Sequence, residues 1–293
     1  MGTTVPRVVG SGSAEATRQA DNLEPELVVG RAAHGLSIAL TVVTVAATLP
    51  TILLSGLLQG PVVMNGSARG TTLVMLVVGV PLLIGSQWAT RRGRSPALPV
   101  WVGTVAYLLY NAFMLLFATP FNALFLVYVA LLSLALWSLV AILRVVDVEA
   151  LGGRVRPGAP RRGIAVFCWV VVVLNVLAWL RGIVPGLAHP GNPAFLDGTG
   201  LTTLPTYVQD LAVWLPLMGV AACWLWRGLA WGYLVVSAML VQWVVESITI
   251  AVDQYMGSLA DPASIVASAA MSPVFLGVAV LSLVPAVLLL RRM

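Results

Sequence analysis

The chain has 293 residues, of which 59% are apolar and only 9% charged, against about 25% charged in a soluble domain. With a mean hydropathy of +0.97, this excludes a soluble globular protein and a disordered one. A pI near 9.8 would ordinarily suggest a nucleic-acid binder, but here it reflects 16 basic against 11 acidic residues in a mostly apolar chain, so no nucleic-acid partner is expected.

Every one of the 16 basic residues is arginine. Without a lysine amine the chain cannot form a Schiff base with retinal or pyridoxal phosphate, and it has no Walker lysine. His34 and His189 do not make the paired axial ligands of a membrane b-type haem. Cys168 and Cys223 are too few for an iron–sulfur cluster or a structural zinc. No cofactor and no metal are expected.

Residues 1–30 are polar and lack the basic start, apolar core and small-residue cleavage site of a signal peptide. They read as a cytosolic tail without fixed structure, and 31–293 as one transmembrane helical domain. Eight apolar runs follow, at about 36–58, 71–90, 97–118, 122–144, 164–186, 208–226, 229–252 and 266–290. Each is close to the ~20 residues that span ~30 Å of hydrocarbon as a helix. The predicted fold class is therefore all-α, a polytopic bundle of eight transmembrane helices. The third and fourth runs are joined by Thr119-Pro120-Phe121 and the sixth and seventh by Arg227-Gly228, which predicts two antiparallel hairpins. No internal repeat is evident, so an inverted-repeat transporter is not indicated.

With the N-terminus placed inside, 14 of the 16 arginines fall on the inner side, and only Arg69 and Arg181 lie outside. This bias predicts cytoplasmic N- and C-termini and an even number of helices. The basic inner segments, especially 145–163, suit contacts with anionic lipid head groups. Cys168 and Cys223 fall near inner helix ends and read as free thiols. Asn65-Gly66-Ser67 is formally a glycosylation sequon in an outer loop, and the segment 187–207 is long enough to cap the outer face.

The strongest polar constellation is on the seventh helix. Gln242, Glu246, Thr249 and Asp253 are spaced by four, three and four residues and form one stripe. A carboxylate at mid-membrane depth costs roughly 2.5–3.5 kcal/mol, so it faces protein or water and takes a partner. At 1.5 Å per residue both Glu246 and Arg181 stand ~25 Å above the inner helix ends, in the outer third, and Asp210 lies in the first turn of the descending sixth helix. These three form a candidate pocket with Gln242, Asp253, Asn111 and Tyr110, in which Arg181 holds an anionic group and Glu246 carries a coupled proton. The competing readings are an ion-paired lock between helices five, six and seven, or Arg181 reaching head groups while Asp210 sits on a helix dipole.

Tyr107, Tyr110, Asn111 and Met114 share one face of the third helix, and Asn175 lies midway along the fifth. Ser37, Thr41, Thr44, Thr48, Thr51 and Ser55 form a hydroxyl stripe on the first, read as packing through bonds to its own helix rather than as a polar pathway. Pro81, Pro273 and Pro285 predict kinks or breaks. Paired-aspartate prenyl-diphosphate motifs, intramembrane-protease motifs and His-x-x-x-His pairs are absent.

Tyr110-Asn111, Thr119 through Tyr128, Ser133-Leu134, Gln209-Asp210-Leu211, Leu215-Pro216, Leu225-Trp226-Arg227 and Gly232-Tyr233 resemble a group of bacterial multi-pass integral membrane proteins of no established activity. The resemblance covers helices three to seven. It implies a bacterial inner-membrane protein and carries over no site. Three functional classes stand: a small-solute transporter or permease-like binder with an outward-facing polar pocket, a structural or accessory membrane subunit, and a lipid- or isoprenoid-modifying membrane enzyme with Glu246 or Asp210 as general acid.

Overall fold

The computed structural model describes Gly2, residues 30–191 and residues 193–293. The tail expected over 1–30 lies outside the described residues apart from Gly2 and Gly30. Eight helices are long and apolar enough to cross a membrane. They are α1 (Arg31–Leu53), α2 (Val62–Arg91), α3 (Ala97–Phe117), α4 (Phe125–Val145), α5 (Arg161–Leu187), α6 (Pro205–Arg227), α7 (Ala230–Ala260) and α8 (Ala269–Leu290). A short helix, Val148–Gly153, links α4 to α5 and is capped by the Asp147 side chain, which accepts a hydrogen bond from the Ala150 N–H. The bundle is all-helical among the described residues.

Several boundaries differ from the sequence expectation: α1 runs five residues earlier at both ends than the expected 36–58, over Arg31–Leu53, which leaves Ser55 outside it. α2 starts at Val62 rather than near 71, because Pro61 is preorganised to begin a helix. Asn65 is therefore not in a loop: its amide donates to the Leu58 and Gly60 carbonyls and closes the α1–α2 turn, so the sequon lies in a helix. α6 starts at Pro205 rather than near 208, so Asp210 is not in its first turn. α7 continues well past 252 to Ala260, because no proline or capping residue interrupts it before Asp261-Pro262. Glu246 thus stands midway along α7 instead of in its outer third.

The two most buried spans, α3 and α7, form the centre, each with 67% of its apolar window buried. They pack on each other. On one flank α1, α2 and α4 close a core around Leu40, Met75, Trp101, Leu108, Tyr128 and Ile142. On the other, α5, α6 and α8 close a second core around Cys168, Met218, Leu225, Met239 and Leu289. α2 and α7 approach most closely through Gly66-x-x-x-Gly70 against Asp253, Met256 and Gly257, a small-residue contact of the kind that lets membrane helices meet backbone to backbone.

Two π-helical turns, Met75–Gly79 and Asp210–Trp214, interrupt α2 and α6. Each ends one residue short of a proline, Pro81 or Pro216. A proline inside a helix has no N–H for the carbonyl four residues back, and its ring crowds that carbonyl. Widening the preceding turn removes the crowding without breaking the helix. Pro50, Pro185 and Pro285 stand within helices, and Pro273 starts one after the 3₁₀ turn Ala269–Met271.

Most of the described arginines gather at one end, with Arg69 and Arg181 toward the other. Arg91 donates to His34, Arg154 to Ser95 and Arg292 to the Pro157 carbonyl, while Gly228 abuts Arg161. Gly228, at φ 77°, takes the left-handed conformation that lets α6 turn directly into α7. At the opposite end the segment after α5 folds across the bundle: Phe195 packs on Gly186 and Tyr207, Gly198 meets Val266 and Gly200 meets Pro61.

Candidate functional site

A cavity of about 450 Å³ lies between the α3–α7 pair and the α5, α6 and α8 layer. Its volume is that of a small-molecule site, which typically measures about 300–1,000 Å³. α7 supplies Gln242, Trp243, Glu246, Ser247, Thr249, Ile250, Asp253 and Gln254. The 4-3-4 stripe read from the sequence therefore runs along the cavity wall. α3 contributes Tyr110, Asn111 and Met114, and α6 contributes Thr206, Asp210, Trp214 and Leu215. α5 and α8 face each other across it through Val171, Asn175 and Trp179 on one side and Phe275, Val278 and Ser282 on the other. Toward the arginine-rich end Ile164 and Ala165 of α5 and Ala286 and Leu289 of α8 are buried in the same core.

Six of the seven residues proposed from the sequence line this space: Glu246, Asp210, Gln242, Asn111, Tyr110 and Asp253. Arg181 does not. It is exposed on α5, two positions beyond Trp179 and so about 200° around the helix from the cavity face. The expected anion site at Arg181 therefore has no place in the cavity. The ion-paired lock is also missing: among the described residues no ion pair joins an arginine to Glu246, Asp210 or Asp253.

Each carboxylate is held by a neutral donor. Asn111, only 1% exposed, donates from Nδ2 to Glu246 Oε2 at 2.7 Å and shares that amide with the Tyr107 carbonyl at 3.1 Å. Trp179 Nε1 donates to Asp210 Oδ2 at 3.0 Å. Thr71 Oγ1 and Gln254 Nε2 donate to the two oxygens of Asp253, each at 3.3 Å. Beneath Glu246, Thr249 donates to the Val245 carbonyl, so the Tyr107 hydroxyl, 2.9 Å away, is the donor to Thr249 Oγ1. Gln242 is 2% exposed and its Oε1 is buried with no hydrogen-bond partner. An unmet amide carbonyl in such surroundings costs roughly 1–3 kcal/mol.

Aromatic side chains complete the wall: Tyr110, Trp179, Trp214, Trp243 and Phe275. Sequence reasoning missed the three tryptophans. The available signal was position, since membrane tryptophans concentrate at helix ends whereas these three lie within their spans. The hydroxyls of α1 play no part in the site: Thr41, Thr44, Thr48 and Thr51 each donate to the carbonyl four residues back, as a packing stripe does. Among the described residues no group of three His, Cys, Asp or Glu side chains could hold a metal ion. No family model matches the chain, and neither curated proteins nor solved structures give a match.

Proposed function

We propose that this multi-pass membrane protein binds a small solute in the cavity beside α7 and carries it across the membrane. One observation carries the reading: three carboxylates, Glu246, Asp210 and Asp253, line one space inside a helical bundle without a cationic partner. Intramembrane acids are costly and mark solute or proton paths. The accessory-subunit reading requires paired charges and a closed core, and both the cavity and the unpaired acids weigh against it. By the positive-inside rule the arginine-rich end is cytoplasmic, with both termini, in a bacterial inner membrane. The cavity, displaced toward the other end, then faces outward, and the clustered arginines meet anionic lipid head groups.

The test is a thermal-shift screen of the purified full chain against small cationic, neutral and anionic solutes, followed by uptake into proteoliposomes. A bound solute raises the melting temperature by mass action. Asn175→Trp fills the cavity from α5 and leaves all three acids in place. The expected result is a solute that stabilises the native protein, leaves Asn175→Trp unaffected and accumulates in wild-type vesicles only. Identical responses of both proteins to every solute contradict the reading.

A further inference from the structure

The geometry points to an organic cation, a quaternary or protonated amine with apolar substituents, as the solute of the α7 cavity. This rests on the solute-binding reading above and names its substrate class. Four independent observations converge on it. The cavity wall holds three acids and no arginine, so an anion entering it meets no cationic partner. The buried, partnerless Oε1 of Gln242 is an acceptor waiting for a donor or a positive charge.

Among the described residues no three His, Cys, Asp or Glu side chains gather as a metal site would require. Glu246 and Asp253 are seven residues apart on α7, about 10 Å along its axis. A body of organic dimensions is needed to reach from one acid toward the next. Finally, Trp179, Trp214 and Trp243 line the same space. Aromatic faces attract ammonium groups most strongly where water is excluded, and tryptophan does so best. Trp179 combines both roles, since its indole N–H orients Asp210 while its ring borders the cavity.

The experiment uses choline and its neutral carbon isostere, 3,3-dimethylbutan-1-ol, with sodium chloride as the inorganic cation. Binding to the purified full chain is followed by tryptophan fluorescence and by thermal shift. Choline is expected to bind saturably and about tenfold or more tighter than the isostere, the scale of a desolvated cation–π contact. Glu246→Gln and Asp210→Asn are each expected to weaken it about tenfold through the lost charge–charge attraction, Trp179→Leu by a smaller factor of about threefold, and the exposed Glu149→Gln not at all. Thermal unfolding verifies that each variant is folded, and Asp253→Asn replaces any that is not.

Equal binding of choline and its isostere, or saturable binding of sodium alone, overturns the organic-cation assignment. If the isostere binds and is lost in Asn175→Trp, the solute-binding reading survives while the cation class falls. If neither choline nor its isostere binds, the cation class falls, and the solute-binding reading is decided by the wider screen against Asn175→Trp.

Discussion

Glu246 meets Asn111 at 2.7 Å, and the strength of that contact is the first quantity the site depends on. Interhelical hydrogen bonds in membranes average about 0.6 kcal/mol, whereas a bond to a charged group is worth about 1.5–3 kcal/mol. The short distance and the burial of Asn111 place this bond above the membrane average. A double-mutant cycle on Asn111→Ala and Glu246→Gln, read by unfolding in detergent, is expected to give a coupling of about 1–2 kcal/mol. A coupling within error of zero contradicts the role of Asn111 as the anchor of Glu246. The sequence made both residues visible, because a carboxylate and an amide stand out in apolar helices. It did not reveal their pairing, and it misplaced Arg181. Residue spacing gives height along a helix, and Arg181 is at a suitable height. Its rotation about α5 depends on which face packs, and α5, with 17% of its apolar window buried, is too uniformly apolar to declare one.

At the scale of elements, the glycines of α2 hold Asp253 in position. A methyl group at Gly70 would come within 2.8 Å of the Val252 carbonyl and 2.9 Å of Asp253 Cα, both backbone atoms that cannot swing away. Gly70→Val is therefore expected to destabilise the protein by about 1–3 kcal/mol, as overpacking does. Gly85→Val, on the same helix with nothing within 4 Å of its added carbon, is the control and stays near wild type. Comparable losses in the two variants, measured by detergent unfolding, contradict a tight α2–α7 contact. Eight apolar runs of spanning length were plain from hydropathy. Their ends were less so: Asn65, Gly66 and Ser67 look like loop residues by composition, yet they lie in α2 because the close approach to α7 demands small side chains. The π turn at Asp210–Trp214 was hidden too. The signal for it is Pro216, which forces the wider turn and with it the presentation of Asp210 and Trp214 to the cavity.

For the whole molecule, an even number of spans and the clustering of arginines at one end make orientation directly testable. A fluorescent protein fused after Met293 is expected to fluoresce in cells, and alkaline phosphatase inserted at Thr202 is expected to be active, since the first matures in the cytoplasm and the second outside it. The opposite pattern inverts the topology and would turn the cavity toward the cytoplasm.

A solute site beside α7 must be an acidic, water-reachable space. This property is tested most directly by the charge preference of a cysteine placed in the cavity wall. Asn175→Cys, in a background of Cys168→Ala and Cys223→Ala, is compared with Thr202→Cys in the exposed loop before α6. Each reacts with methanethiosulfonate reagents bearing a trimethylammonium or a sulfonate group. A cleft lined by one sign of charge concentrates opposite ions by about tenfold or more. The cationic-to-anionic rate ratio at residue 175 is therefore expected to exceed that at residue 202 by about this factor, and to collapse when Glu246→Gln and Asp210→Asn are added. Equal ratios at the two positions, or a residue 175 thiol that neither reagent reaches, would contradict the account.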